Sequence, residues 1–190
     1  MYIKEIQTLK NKLYENSIIN ISGPITNETC DYITSTLLYL DSLNDRTPIQ
    51  LYINSPGGCV TSGLAIYDTI RSIDRIVHTY CIGSCYSMAA ILFAAGDKRY
   101  MLPHSTLMIH QPGTLLNGRF EDINTAYYQL KNINDLIAEL LSKHSNKSKK
   151  DISGIIQKGD YYMSATEAID FGIADEIVEE SEHKKIKKGT

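Results

Sequence analysis

The 190-residue sequence contains no Trp, three Phe, five Pro and four Cys, and its 19 basic side chains are almost balanced by 22 acidic ones. Each shortage closes a class of function. A net charge of −3 provides no basic stripe for a phosphate backbone, so a nucleic-acid partner is not expected. Cys30, Cys59, Cys81 and Cys85 have neither metal-ligand spacing nor a secretory context. They predict reduced, mostly buried thiols, a cytoplasmic location and no metal site. The most apolar stretch, residues 80–96, is broken by Gly, Ser and Cys and falls short of a membrane span. Lys4, Glu5, Lys10 and Lys12 interrupt the N-terminal segment, which therefore lacks a signal-peptide core. No glycine-rich loop is followed by the Lys that a phosphate cradle needs, so no nucleotide is expected on this chain.

What is present fits one sizeable hydrophobic core, at 43% hydrophobic residues and 13 Tyr. No repeat or linker divides the chain, so residues 1–190 are read as a single domain with a short N-terminal segment (1–12) and a charged, solvated tail (about 179–190). Short runs rich in Ile, Val and Tyr alternate with helical stretches, the pattern of a mainly parallel α/β domain. The strands are expected at 17–21, 50–54, 75–82, 98–101 and 106–110. Helices are expected at 28–42, at 60–73 and from about 87 through 94. Capping boxes at Ser148-Lys-Lys-Asp151 and Ser164-Ala-Thr-Glu167 open two further helices, near 149–158 and up to Gly172. The longest helix, 121–143, repeats Ile123, Tyr127, Leu130, Ile133, Ile137, Leu140 and Leu141 at helical spacing. At about 35 Å it is longer than a small core needs. It either projects to pack on another subunit or lies along its own core.

Four separated segments fit one acyl-transfer site. Ser87 follows a strand expected to end at Ile82 and a Gly83-Ser84 turn, and it opens a helix whose N-terminal field favours developing negative charge. Taken alone, Ser87 reads first as a simple helix N-cap, and only its partners point to a nucleophile. Gly57-Gly58 lie between a strand and a helix, where bare backbone N–H groups can face a ligand or merely make a tight turn. An oxyanion hole needs two such donors, and the N–H groups of Gly58 and Met88 are candidates. His110 ends a strand before Gln111-Pro112, so its imidazole sits at an edge, as a base or as a satisfied core histidine. Asp160 falls in the link between the two capped helices, where a carboxylate can turn inward. Nucleophile, base, orienting acid and oxyanion donors together are what peptide hydrolysis requires.

These segments resemble the ClpP family of serine peptidases. The family's Tyr-Ile-Asn-Ser-Pro-Gly-Gly stands at 52–58, followed by Ile-Tyr-Asp-Thr-Ile at 66–70. Its Ser-Met-Gly-Ala reads Ser87-Met88-Ala89-Ala90, and Leu102-Pro103 with Met108-Ile109-His110-Gln111-Pro112 match the histidine segment. Asp160-Tyr161-Tyr162-Met163-Ser164-Ala165, Glu167-Ala168 and Phe171-Gly172 match the aspartate segment. The resemblance implies a crotonase-like α/β spiral of ββα units with a protruding handle helix at 121–143. It also implies Ser87, His110 and Asp160 as catalytic residues, Gly58 and Met88 as the oxyanion hole, and Gly57, Gly113, Thr114 and Leu115 as substrate-binding positions. It further implies heptameric rings stacked in pairs, polypeptide substrates, no cofactor on this chain, and an AAA+ Clp ATPase partner that spends the ATP.

The chain departs from the family pattern at several places. Gly113-Thr114-Leu115-Leu116-Asn117-Gly118 replaces the usual Leu-Gly-Gly after the histidine segment, so cleavage preference should differ. Gly159 stands where an Arg usually helps couple the rings. The N-terminal segment is shorter than the family's axial hairpin, and Tyr86 replaces a usual Ala, which would narrow the site. Two other functions compete with an active peptidase. A silent ring subunit would keep the assembly without turnover, and an acyl-CoA enzyme of the wider crotonase superfamily would show CoA-dependent turnover.

Overall fold

The computed structural model describes residues 9, 12–43, 45–114 and 117–178. The N-terminal segment and the charged tail therefore fall largely outside the described residues, as do Leu115 and Leu116. Seven strands form one sheet: β1 (Ile18–Ser22), β2 (Ile49–Ser55), β3 (Val77–Tyr86), β4 (Lys98–Met101), β5 (Thr106–Ile109), β6 (Tyr161–Ser164) and β7 (Glu176–Ile177). Among the described residues the helices α1 (Asn27–Ser42), α2 (Val60–Ser72), α3 (Met88–Ala94), α4 (Phe120–Lys143), α5 (Lys149–Ile156) and α6 (Ala165–Phe171) are interleaved with them. Strands β1, β2, β3, β4 and β7 lie side by side in parallel, while β5 pairs with β3 and, in antiparallel fashion, with β6.

Alternation along β2 explains its two faces. Ile49, Leu51 and Ile53 point into the core, whereas Tyr52 on the other face stacks on Tyr80, which stacks on Tyr100, at 4.5 and 4.8 Å between ring centroids. Helix α3 is buried along its whole length, and Ile91, Leu92 and Phe93 anchor it in the core. Burial of side chains this size contributes about 1.5–3 kcal/mol each, enough to hold a strained residue at the helix's start.

Strand β3 runs on past the expected end at Ile82. Gly83 adopts φ +98°, and the Asn54 carboxamide oxygen accepts hydrogen bonds from the Ser84 N–H (3.2 Å) and hydroxyl (3.1 Å). The Gly-Ser pair is therefore a bulge rather than a turn: the register against β2 shifts there and the strand continues to Tyr86. Its first half pairs with β4 at His78–Cys81, and its last residues, Ser84, Cys85 and Tyr86, pair with β5. The strand thus changes partner just before Ser87. Both predicted capping boxes form, at Ser148 and Ser164, but the link holding Asp160 runs straight into an unpredicted strand, β6.

Helix α4 buries only Ile137, Ala138 and Leu141, near its C-terminal end, while Phe120, Tyr127 and Tyr128 are exposed. It projects from the core for most of its length. All four cysteines are free: Cys81 and Cys85 are buried as expected, Cys30 is half-buried and Cys59 is exposed. Among the described residues no group of His, Cys, Asp and Glu could hold a metal ion, and no helix is long and apolar enough to cross a membrane.

Candidate active site

Ser87 occupies the junction between β3 and α3 with φ 56° and ψ −123°, a backbone region that side chains seldom enter. Two bonds lock it there. Its N–H donates to the Met108 carbonyl of β5 (2.8 Å), and its own carbonyl accepts from the Ala90 N–H in the first turn of α3 (3.0 Å). The hydroxyl makes no helix-capping bond. Instead Ser87 Oγ lies 2.7 Å from His110 Nε2, and His110 Nδ1 lies 3.0 Å from Asp160 Oδ1. The three side chains came from separate segments and form one hydrogen-bonded run. The His110 and Asp160 side chains are 32% and 51% exposed, so a substrate can reach them.

Register explains the meeting of His110 and Asp160. In the antiparallel β5–β6 pair, Ile109 faces Tyr161 and Met108 faces Tyr162. One step further, the same register sets His110 opposite Asp160. An acid placed by sheet pairing is more tightly specified than one in a free link.

The glycine turn is shaped by Ile25. The Ile25 N–H donates to the Gly57 carbonyl (2.8 Å), and the Cys59 N–H donates to the Ile25 carbonyl (2.9 Å). The Gly57–Gly58 peptide is trans, as are all peptides among the described residues, so the Gly58 N–H must point opposite the Gly57 carbonyl, away from Ile25. By the same reasoning the Met88 N–H points opposite the Ser87 carbonyl, out of the start of α3. The turn lies against Ser87: a Cβ on Gly57 would sit 3.0 Å from the Met88 nitrogen and 2.8 Å from the Ser87 Cβ. A Cβ on Gly58 would sit 2.3 Å from the Ile25 carbonyl oxygen, with φ at +150°. Only glycine fits either position. Ser55, fully buried, accepts the Gly57 N–H at 3.1 Å and fixes the turn from the other side.

Beside Ser87 and His110 opens a cavity of about 340 Å³ whose walls include Gly58, Val60, Met88, Ile91, Ile137 and Leu141. Gly113 also lines it, and Thr114 lines the adjoining cleft against α4. Gly57 is buried behind Ser87 rather than on the cavity wall, and Leu115 lies outside the described residues. Tyr86 does not narrow the cavity: its ring turns away to meet Tyr162 edge-on. Burial pushes the Cys85 thiol well above its ordinary pKa, so it stays protonated behind Ser87.

Residues 3–181 match the family model described as Clp protease. The chain belongs to the Clp protease family. Its mixed α/β architecture, with a central sheet, flanking helices and the projecting α4, is the Clp-type fold that the sequence predicts, and the family is one of peptidases.

Sequence reasoning passed over Asn54, Ser55 and Ile25, which shape the bulge and the glycine turn. Asn54 and Ser55 lie inside the 52–58 segment already singled out, but Ile25 acts through its backbone and carries no side-chain signal. His144 shares a 2.7 Å hydrogen bond with the Tyr67 hydroxyl, away from the candidate site.

Proposed function

We propose that this chain is a serine endopeptidase subunit in which Ser87 is the nucleophile, His110 the general base and Asp160 its orienting partner. The observation that carries the reading is the hydrogen-bonded run from Asp160 through His110 to Ser87 at the mouth of an apolar cavity. A proton on His110 Nδ1 donated to Asp160 leaves the Nε2 lone pair for the Ser87 O–H. As Oγ attacks the peptide carbonyl, its proton passes to Nε2, and the carbonyl oxygen takes up negative charge between the Gly58 and Met88 N–H groups. The C–N bond then breaks, Nε2 returns the proton to the leaving amine, and water attacks the acyl-enzyme by the same route. Asp160 remains ionised throughout and stabilises the imidazolium.

Val60, Met88, Ile91, Ile137 and Leu141 suit an apolar side chain next to the scissile bond. Gly113 and Thr114, which follow His110 and line the cavity and its adjoining cleft, offer a backbone on which an extended substrate can lie. This chemistry calls for no metal or cofactor on the chain. We further propose a cytoplasmic assembly of heptameric rings, stacked through the exposed face of α4 and fed with unfolded polypeptide by an AAA+ Clp ATPase. Gly159 has φ +120°, a conformation poorly suited to the Arg usual there, so stacking would rely on α4 without that ion pair. Gly159 and the altered 113–116 segment are what favour a silent ring subunit; the hydrogen-bonded run favours an active one.

Hydrolysis of a fluorogenic peptide by wild type and Asp160→Ala tests this reading. The variant should lose about 10³–10⁴-fold in kcat, with ring mass unchanged by native mass spectrometry. Undiminished turnover would remove Asp160 from the mechanism, and a strict monomer would overturn the ring.

A further inference from the structure

Three strands converge at the catalytic end of the sheet, and their registers align two rows of side chains on one face. Tyr86 of β3 lies opposite Met108 of β5, which lies opposite Tyr162 of β6. Two residues further along β5 and two back along β6 comes the next row on that face, His110 and Asp160. The Tyr row is therefore the neighbour, along the strands, of the His–Asp pair.

Tyr86 and Tyr162 are not on neighbouring strands. Their rings nevertheless meet with centroids 5.6 Å apart and planes at 87°, an edge-on contact that bridges β5 over Met108. Asp160 has weak support from its other side. Gly159 precedes it with φ +120° and nothing within 4 Å of where a Cβ would stand, and the carboxylate is half exposed where it reaches His110. The hold on Asp160 thus comes mainly from β6. The Tyr86–Tyr162 contact ties the start of that strand directly to the last residue of β3, which Ser87 follows.

We propose that Tyr86 is a positioning residue: by bracing Tyr162 it keeps the start of β6, and with it the Asp160 carboxylate, in register with His110. The proposal rests on the reading of Ser87, His110 and Asp160 as a catalytic set. The ring touches neither substrate cavity nor reacting atoms, so its effect belongs to the chemical step and not to substrate binding.

Tyr86→Ala, Tyr86→Phe and Asp160→Ala, with the double variant Tyr86→Ala/Asp160→Ala, provide the test. Peptide turnover and the rate of Ser87 labelling by a fluorophosphonate are the readouts, with melting temperature and native mass as controls for folding. Tyr86→Ala should lower kcat about tenfold with KM within twofold, the size of effect one aromatic edge contact can supply. Tyr86→Phe, which keeps the ring edge, should stay within twofold of wild type. In the Asp160→Ala background the same Tyr86→Ala change should alter the labelling rate less than twofold, because the group it positions is gone.

Unchanged kcat in Tyr86→Ala, or a further tenfold loss in the Asp160→Ala background, would overturn the proposal. A rise in KM alone would also overturn it, by assigning Tyr86 to substrate binding. If Tyr86→Ala fails the folding controls, Tyr86→Leu and Tyr162→Leu, which fill the space without an aromatic edge, carry the same expectations. A wild-type protein that neither turns over peptide nor labels at Ser87 would sink the catalytic reading itself. An active wild type indifferent to Tyr86 sinks only the positioning role.

Discussion

Replacing Ser87 by Gly should leave a more stable protein than replacing it by Ala, the reverse of the usual order. Both substitutions delete the hydroxyl and its 2.7 Å contact with His110, so that loss cancels in the comparison. The difference lies in the backbone, held at φ 56° and ψ −123° by the Met108 carbonyl on one side and the first turn of α3 on the other. Side-chain residues in such a region cost about 1–3 kcal/mol, and glycine enters it without that cost. Against this, glycine loses about 0.4–1 kcal/mol more conformational freedom on folding than alanine. The net is roughly 1 kcal/mol in favour of Ser87→Gly, or about 2–4 °C in melting temperature for a chain of this length. Thermal unfolding of both variants at one protein concentration measures it, since any assembly would make stability concentration-dependent. If Ser87→Ala melts at or above Ser87→Gly, the junction is not strained and the reasoning fails.

Gly58→Ala should abolish turnover and labelling, because its Cβ would meet the Ile25 carbonyl oxygen at 2.3 Å and any relief must turn the Gly58 N–H. Retention of more than a tenth of wild-type kcat would show that this N–H is not an oxyanion donor. Burial, followed by the nearby Arg71, Arg99 and Lys143, lowers the His144 pKa to about 4. The folded state therefore resists a proton that the unfolded chain accepts near 6.5, and stability present above pH 6.5 should fall as pH drops toward 4. Replacing His144 by Asn should flatten the melting temperature between pH 6.5 and 4 relative to wild type; an equally steep wild-type and variant profile would exclude His144 as the cause.

How much the sequence reveals depends on how local the physics is. The capping boxes at Ser148 and Ser164 are complete within four residues, and both form as read. Helix α4 is legible because its apolar spacing persists, and strand β4 lies where it is predicted, at 98–101. The course of β3 is not local: Gly83-Ser84 looks like a turn until the Asn54 side chain, thirty residues earlier, is seen to hold the Ser84 N–H. Strand β6 has four residues between two helices, and only its pairing with β5, more than fifty residues away, marks it as a strand. The identities of Ser87, His110, Asp160 and Gly58 are legible as residue types in context. Their backing by Ile25, Ser55 and the Tyr86–Tyr162 contact arises only in three dimensions, because backbone donors and cross-strand rings have no spacing of their own.

The most direct test of the central claim is intact-mass analysis after fluorophosphonate treatment of wild type and Ser87→Ala. One adduct per chain on the wild type and none on the variant is the result this account predicts, since only a serine activated by His110 reacts readily. An unlabelled wild type that is folded and oligomeric, or equal labelling of the Ser87→Ala protein, would contradict it.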